Sequence, residues 1–176
     1  MLIYKTKIDG LLQIKNKIKK DNRGYFIEVW KKNELEKITG TKLVQENISY
    51  NKKKYTLRGL HAQIGNKKQA KLVRCIKGKI LDVAVDFRKN SPTFLKYFKL
   101  ILSENNSKQL FIPPDFLHGF ITLESHSIVN YMCSNYYSKK HEINLNYLEP
   151  KINIKWGVDL RRIIISSKDK KAKFIN

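Results

Sequence analysis

The stretch Lys79-Ile80-Leu81-Asp82-Val83-Ala84-Val85-Asp86-Phe87 decides the fold. Its leucine, valines and phenylalanine alternate with Asp82, Ala84 and Asp86, and this period of two predicts a strand with one buried face. The Lys77-Gly78 pair before it is typical of a turn, so residues 69–76 are predicted to form a neighbouring strand.

The same organisation continues outward on both sides. Short apolar segments separated by turn residues predict further strands at 1–4, 11–14, 25–30, 43–49, 55–63, 94–102, 108–112, 119–123 and 127–133. In the first half only residues 33–38 predict a helix, with Asn33 as the N-cap and Glu36 completing a capping box. From about residue 136 aromatic, polar and basic residues mix, which predicts irregular structure and short helices.

These patterns predict one domain spanning residues 1–176, because the chain is long enough to bury a substantial core. We expect an all-β, double-sheet jelly roll with a few short, mostly C-terminal helices. The core is expected over about residues 20–135, with the irregular and helical segment over about 136–176.

The amino-acid composition limits the kinds of partner that the protein is expected to bind. The net charge of +21 raises the question of nucleic-acid binding, but the lysine pairs are scattered along the chain at the edges of apolar segments. The charge therefore favours an anionic small ligand, with neither nucleic acid nor membrane as a partner. No stretch has the length of a membrane span or the pattern of a signal peptide, and Cys75 and Cys133 resemble buried free thiols. These features predict a cytoplasmic protein.

The first candidate for chemistry is the stretch from Tyr55 to Lys71, which carries Arg58, His61 and Lys71 on neighbouring extended segments. Strand alternation predicts that Arg58 and His61 point to opposite faces. Gly59 between them indicates a place where a ligand or another backbone comes close. Taken alone, His61 fits an active-site base and a hydrogen-bonded core histidine equally well.

Two further segments contain polar side chains within apolar surroundings. His118 follows the rigid Pro113-Pro114 turn at the start of a predicted strand, and Tyr131 lies in the last one. Each also has a purely structural interpretation, as a turn-ordering histidine and a packing tyrosine. Jelly rolls of the cupin type often hold a metal with clustered histidines and a glutamate, but no such spacing occurs here, so we expect no metal.

Several segments together carry a specific resemblance. They are Asp21-Asn22-Arg23-Gly24-Tyr25-Phe26-Ile27-Glu28, Gln45-Glu46-Asn47-Ile48-Ser49, Leu57-Arg58-Gly59-Leu60-His61, Gln69-Ala70-Lys71-Leu72-Val73-Arg74, Ile112-Pro113, His118-Gly119-Phe120, and Tyr131 ahead of Tyr136-Tyr137. The chain resembles the dTDP-4-dehydrorhamnose 3,5-epimerases, a family of cupin-fold sugar-nucleotide enzymes, over nearly its whole length, as far as Ser166-Ser167-Lys168-Asp169.

The resemblance implies that His61 is the catalytic base, Asp169 its carboxylate partner and Tyr131 the opposing acid. Lys71 matches the active-site lysine of the family. The implied substrate-binding residues are Arg23, Phe26, Glu28, Gln45, Asn47, Arg58, His118, Glu142 and Lys168. The resemblance further implies a homodimer, in which Arg23 reaches the neighbouring subunit's site, and a reaction without metal or nicotinamide that feeds surface-polysaccharide synthesis.

The chain departs from this family beside the predicted base. Ala62 stands where an aromatic residue is common, and residues 64–68 replace a proline-containing loop. These positions flank the expected sugar and nucleotide pockets, so we expect substrate choice to be decided there. Two alternatives stay open at this point: an epimerase of a GDP-4-keto-6-deoxy-heptose or related sugar, and a non-catalytic module that binds sugar nucleotides.

Overall fold

The computed structural model describes residues 1–175 and consists mainly of strands. In chain order these are β1 (Leu2–Lys5), β2 (Leu12–Lys15), β3 (Ile18–Asp21), β4 (Gly24–Ile27), β5 (Gln45–Asn51), β6 (Thr56–Gln63), β7 (Lys71–Lys77), β8 (Lys79–Asp86), β9 (Tyr97–Ser103), β10 (Lys108–Ile112), β11 (Phe116–Thr122), β12 (Ser127–Cys133), β13 (Glu142–Asn144) and β14 (Ile164–Ile165). The predicted strands at 108–112 and 127–133 are confirmed residue for residue, whereas the one predicted at 25–30 ends at Ile27.

Two sheets form the sandwich. The first has the order β1-β2-β10-β7-β12-β5, and the second has the order β13-β6-β11-β8-β9, with β14 pairing in parallel to β6. Strands β3 and β4 form a separate hairpin. This arrangement confirms the predicted all-β jelly roll, and it places β6 and β12, which carry His61 and Tyr131, in different sheets.

The helices are short, namely α1 (Lys32–Thr39) and α2 (Ser167–Lys170). The capping box predicted at Asn33 is wrong. Helix α1 begins at Lys32, its N-cap is Lys31, and no side chain caps it. It is held instead by burial of Leu35 among Ile14, Leu72 and other apolar residues, so packing replaces the missing cap.

The half-buried pattern predicted for β8 is also wrong, because the strand is covered on both faces. Ile80 and Ala84 pack in the core between the two sheets. Leu81, Val83 and Val85 pack in a second apolar cluster with C-terminal residues that include Leu145, Ile152, Ile154 and Trp156. The two aspartates that suggested an exposed face, Asp82 and Asp86, are 0% exposed. The C-terminal segment therefore supplies a third layer that strand alternation did not predict.

Strand β6 does not alternate regularly. Leu57, Leu60 and Ala62 all pack in the same outer cluster. In a regular strand Leu57 and Leu60, which are three positions apart, would point to opposite faces, so the alternation of side chains is interrupted once between them. The pairing of β11 with β6 changes register at the same level, between His118 and Phe120. The prediction that Arg58 and His61 point to opposite faces is consequently wrong. Arg58 Nε donates to Asn51 Oδ1 of β5, so the Arg58 side chain bridges to the first sheet, on the side of β6 opposite to the outer cluster.

Gly59 marks the close approach of a second backbone, as its position in a strand suggested. It has φ +119°, and a Cβ at this position would lie 2.6 Å from Gly119 Cα and 2.8 Å from the His118 carbonyl oxygen. The two glycines let β6 and β11 approach closely, which places His61 and His118 as partners across the strand pair.

Candidate active site

A cavity of about 380 Å³ opens between the two sheets near the end of β6. Its wall contains six of the residues proposed from the sequence, namely Gln45, Asn47, His61, Lys71, Tyr131 and Glu142. They come from β5, β6, β7, β12 and β13, which lie far apart in the chain and converge only through the sandwich. The structure thus brings together residues whose sequence positions gave no proof of proximity.

His61 and Asp169 form a hydrogen-bonded pair at the cavity wall. His61 Nε2 lies 2.7 Å from Asp169 Oδ1, and the His61 side chain is 29% exposed while that of Asp169 is 5% exposed. The other carboxylate oxygen accepts the N–H of Gly59 at 3.3 Å. Because Nε2 faces the carboxylate, Nδ1 is the ring nitrogen left for a bound ligand.

The local fold around Asp169 explains its position and its charge. It lies in the first turn of α2, whose N-cap Ser166 accepts the backbone N–H of Asp169. Burial alone raises the pKa of Asp169, but the hydrogen bond and charge of His61, together with the Gly59 N–H, outweigh it and hold this pKa below its usual value. The carboxylate is therefore charged near neutral pH and orients the imidazole.

Tyr131 faces the cavity from the first sheet. It is partly buried against the core, and burial raises its pKa, with the nearby Cys133 adding to the effect and Arg58 opposing it. The phenol therefore keeps its proton near neutral pH and can donate it. Tyr131 lies on β12 and His61 on β6, so a ligand in the cavity has one of these groups on each side.

Lys71, at the start of β7, also lines the cavity. Burial lowers its pKa below the usual lysine value, whereas Cys133, Asp82 and Glu142 raise it. Within residues 1–175 its ammonium group makes no hydrogen bond or ion pair. Its amino group is available to a ligand oxygen.

His118 lies behind the cavity wall in a second histidine–aspartate pair. Its Nε2 is 2.7 Å from Asp82 Oδ1, and the two side chains are 8% and 0% exposed. Burial lowers the pKa of His118, and Asp82 only partly offsets this, so the imidazole is neutral near physiological pH. The structural interpretation of His118, as a hydrogen-bonded buried histidine, fits this geometry, whereas its role in substrate binding stays a prediction.

An ion pair between Lys168 and Glu142 lies at the rim of the cavity. Lys168 Nζ contacts Glu142 Oε2 at 2.6 Å, and the Tyr137 hydroxyl donates to the same oxygen at 3.2 Å. Gln45 Nε2 donates to Asn47 Oδ1, and Gln45 Oε1 accepts the N–H of Tyr137. This network orders polar side chains around the mouth of the cavity.

Of the nine residues proposed for substrate binding, only Gln45, Asn47 and Glu142 line this cavity. His118 and Lys168 adjoin residues that line it, Arg58 contacts Asn51 on β5, and the remaining three lie elsewhere. Arg23 and Phe26 lie on the β3–β4 hairpin and Glu28 follows it. Arg23 pairs with Asp21 and its side chain is 85% exposed, whereas Glu28 pairs with Lys31. Phe26 is 64% exposed. All three are presented outward, away from the site of their own chain.

The sequence interpretation missed several residues of the site. Gln63, Gln69, Cys133 and Tyr137 line the cavity although none was proposed as a site residue. Cys133 had a detectable signal, since it lies two positions after Tyr131 on a strand and so shares its face. Asp82 had none, because its strand was expected to have an exposed face. Ala62 lines the cavity and also packs in the outer cluster.

The arrangement defines a class of enzyme. A base with an orienting carboxylate on one wall, and a phenol and a lysine on the opposite wall, suit proton abstraction next to a carbonyl and reprotonation from the other side. Among the described residues no group of three His, Cys, Asp or Glu could hold a metal ion. In the same part of the chain no helix has the length and apolar character needed to cross a membrane.

Comparisons with known proteins identify the family. The sequence model of the family described as dTDP-4-dehydrorhamnose 3,5-epimerase matches residues 5–176. An enzyme of that name from Salmonella typhimurium is 42% identical over 158 residues, which covers 89% of this chain and 86% of the relative. The chain belongs to the dTDP-4-dehydrorhamnose 3,5-epimerase family, and it is an isomerase that acts on sugar nucleotides.

Solved structures point to the same family. The crystal structure of dTDP-4-dehydrorhamnose 3,5-epimerase from Elizabethkingia anophelis superposes with a TM-score of 0.94 at 38% identity, covering 99% of this chain and 96% of that one. A Legionella pneumophila epimerase in complex with dTDP-4-keto-L-rhamnose gives a TM-score of 0.93 at 39% identity, with 98% and 92% covered. The resemblance, fold and enzyme class expected from the sequence are confirmed.

Proposed function

We propose that this protein inverts carbons 3 and 5 of a dTDP-linked 4-keto-6-deoxy sugar, with His61 as base, Asp169 as its orienting partner and Tyr131 as the opposing acid. The observation that carries the proposal is the 2.7 Å His61–Asp169 pair at a cavity whose opposite wall holds Tyr131.

The reaction has simple chemical requirements. A 4-ketone acidifies the hydrogens on carbons 3 and 5, and removal of either gives an enolate. Inversion then needs a proton delivered to the opposite face of the same carbon. Neutral imidazole suits the abstraction because its pKa range lies near working pH, and a paired carboxylate fixes its tautomer and stabilises the imidazolium. The phenol of Tyr131 is protonated near neutral pH and lies across the cavity, as the second step requires.

The enolate oxygen needs a fixed positive group. We assign this role to Lys71, whose ammonium faces the cavity and makes no ion pair with residues 1–175. Burial lowers the pKa of Lys71, so its charge is less firmly held than that of a surface lysine. At a partly exposed position the charge is screened by less water than on the open surface, and it therefore stabilises a nearby negative charge more strongly.

The sugar nucleotide brings a diphosphate, for which we propose Arg58 and Lys168 as contacts. Arg58 is exposed and is held by a hydrogen bond to Asn51, and its forked donors suit two phosphate oxygens together. Lys168 is oriented by Glu142, whose hydrogen bond raises the pKa of this lysine. We assign Gln45 and Asn47, which line the cavity, to sugar and nucleotide contacts. His118 lies behind the wall as the strand partner of His61, and its assignment as a substrate-binding residue rests on the family resemblance.

We further propose a homodimer in which the β3–β4 hairpin completes the partner's site. Arg23, Phe26 and Glu28 are presented outward, and exposed apolar side chains accompany them on the hairpin and on edge strand β5, namely Tyr25, Ile48 and Tyr50. Mixing inactive Arg23→Ala and His61→Asn proteins tests this directly. If hairpins exchange, mixed dimers contain one intact site and activity returns, whereas a mixture that stays inactive contradicts the exchange.

The function is tested by deuterium incorporation. The protein is incubated in deuterated water with dTDP- and GDP-linked 4-keto sugars, and the label is located by NMR. We expect label at carbons 3 and 5 of the dTDP-linked 4-keto-6-deoxy sugar. Label only in a GDP-linked heptose would reassign the substrate, and tight binding without any label would reassign the protein to a binding module.

We also place the reaction in the cytoplasm, since both cysteines are free thiols, as is usual in a reducing compartment.

A further inference from the structure

Gln63 is a buried glutamine at the end of β6 whose side-chain amide bonds to three backbone groups. It is 4% exposed, although it lines the cavity. Its Nε2 donates to the carbonyl oxygens of Lys67 at 2.6 Å and Tyr136 at 3.2 Å, and its Oε1 accepts the backbone N–H of Ser138 at 2.5 Å. Both donors of the amide are used, so Gln63 has none left for a ligand. One side chain thus holds two separate segments of the chain.

The first of these segments is the loop of residues 64–68, which follows β6. None of its residues, all of which the structure describes, lines the cavity. The loop is connected instead to the residues after β12. The Ile64 N–H donates to the His141 carbonyl at 2.9 Å, and Asn135 Nδ2 donates to the Asn66 carbonyl at 3.1 Å. Within this chain the loop therefore acts on a ligand in the cavity through the residues that it holds.

The second segment, residues 136–138, carries Tyr137 at the mouth of the cavity. Gln63 bonds to the residue before Tyr137 and to the residue after it, so the backbone on both sides of this tyrosine is fixed. The Tyr137 N–H donates to Gln45 Oε1 at 3.0 Å, and its hydroxyl donates to Glu142 Oε2 at 3.2 Å. Tyr137 is 57% exposed, so little packing holds it and its position depends on these hydrogen bonds.

We propose that Gln63 is a positioning residue for the substrate: it joins the 64–68 loop to segment 136–138 and thereby sets the position of Tyr137 at the mouth of the cavity. This rests on the proposed function of the cavity as a sugar-nucleotide site. Gln63 contributes to substrate affinity through Tyr137, whereas the proton transfers themselves do not depend on it. The loop influences substrate choice through the same glutamine.

The test is the kinetics of deuterium exchange in Gln63→Met, which keeps the length of the side chain and removes its three hydrogen bonds. Segment 136–138 then loses its support, so KM for the dTDP-linked 4-keto sugar should rise about tenfold while kcat stays within about twofold of the wild type. The dissociation constant of the same sugar nucleotide, measured by calorimetry, should rise by a similar factor. Gln63→Glu keeps the acceptor and loses both donors. It is the second variant in case the first misfolds, and its KM should also rise.

Asn106→Leu is the matched control, in the turn between β9 and β10. The Asn106 amide also bonds to three backbone groups, namely the Ile101 carbonyl at 2.8 Å and the N–H groups of Ser103 at 3.3 Å and Lys108 at 3.1 Å. All four residues belong to the described part of the chain, and none of them lines the cavity. This variant should lose stability in urea unfolding, because its backbone partners lose their bonds, and should keep the KM of the wild type.

A double-mutant cycle tests whether Gln63 acts through Tyr137. In a Tyr137→Ala background, Gln63→Met should change KM much less than in the wild type, because the side chain that Gln63 positions is already absent. Changes in KM that simply multiply in the double variant would show that the two residues act independently.

Three results overturn the proposal. They are an unchanged KM in a folded Gln63 variant, an equal rise of KM in Asn106→Leu, and independent effects in the cycle with Tyr137→Ala. Absence of deuterium label in the wild-type reaction would instead contradict the proposed function, and the dissociation constants would still test the role of Gln63. The two failures are therefore distinguishable.

Discussion

The two histidine–aspartate pairs of the molecule differ in access and not in geometry. His61–Asp169 and His118–Asp82 each have a nitrogen–oxygen distance of 2.7 Å, and the two histidines are partners across the β6–β11 strand pair. The imidazole of the first is 29% exposed and lines the cavity, whereas that of the second is 8% exposed and lies behind it.

This difference shows that a histidine paired with a carboxylate is not for that reason alone able to act as a general base. A general base must reach the substrate and must tolerate the positive charge that it gains. Burial lowers the pKa of His118, so its imidazolium is disfavoured, whereas His61 is in contact with solvent and with a charged Asp169.

The largest effect is expected from replacing the accessible histidine. His61→Asn removes the proton acceptor and should lower exchange at both carbons about 10⁴-fold, or about 5.5 kcal/mol. His118→Asn should lower kcat/KM far less and keep exchange at both carbons. Exchange is measured by NMR in deuterated water, with dTDP binding as the control for an intact site. Equal losses in the two variants would contradict the contrast.

The second prediction disturbs both pairs at once. Gly59→Ala forces a Cβ to within 2.6 Å of Gly119 Cα at φ +119°, and should lower the free energy of unfolding by about 3 kcal/mol. Gly24→Ala is the matched control, since Gly24 has φ +137° but a Cβ there would meet no atom within 4 Å apart from its chain neighbours. It should cost only about 1 kcal/mol of backbone strain. Equal values in urea unfolding would show that the close approach of β6 and β11 carries no cost.

The third prediction concerns the partner of the accessible histidine. Asp169→Asn should lower kcat about 10²-fold, or about 2.7 kcal/mol, because the imidazole loses its orienting charge. If Asp169 acts through His61, the double variant with His61→Asn should lose no more than His61→Asn alone. Additive losses in this cycle would assign Asp169 a separate role.

The sequence was sufficient for most of the strands, though not for β3, β13 and β14, and for the jelly roll and about half of the cavity wall. Alternation and turn residues are local signals, and residues such as His61, Lys71 and Tyr131 stood in segments whose family resemblance is specific. It was not sufficient for features set by distant contacts. The third layer over β8, the register shift in β6 and the buried Asp82 depend on the C-terminal segment and on β11, which local patterns do not encode.

The fourth prediction distinguishes the roles of the two walls of the cavity, which carry His61 and Tyr131. Tyr131→Phe removes the proposed acid but leaves His61 and Lys71, so exchange should stay within about tenfold of the wild type, or about 1.4 kcal/mol, while inversion is lost. Chiral analysis of the product, alongside the exchange rate, distinguishes the two steps. A variant that still inverts at the wild-type rate would remove Tyr131 from the mechanism.

The smallest effect is expected in the stability of the accessible pair. The pKa of Asp169 is below its usual value despite burial, because the charge and hydrogen bond of His61 and the Gly59 N–H favour its carboxylate. A carboxyl whose folded pKa is lowered stabilises the fold above its unfolded pKa of about 3.9, and this contribution is lost as the pH falls through the folded value. Wild-type protein should therefore exceed Asp169→Asn by about 1 kcal/mol in free energy of unfolding at pH 7, and by much less in strong acid. Urea unfolding of both proteins from pH 7 to pH 3 measures this difference. If the difference in free energy of unfolding between the two proteins stays constant over that range, the charge of Asp169 contributes nothing to stability. The contrast between the two histidine–aspartate pairs would then rest only on the access of His61 to the cavity.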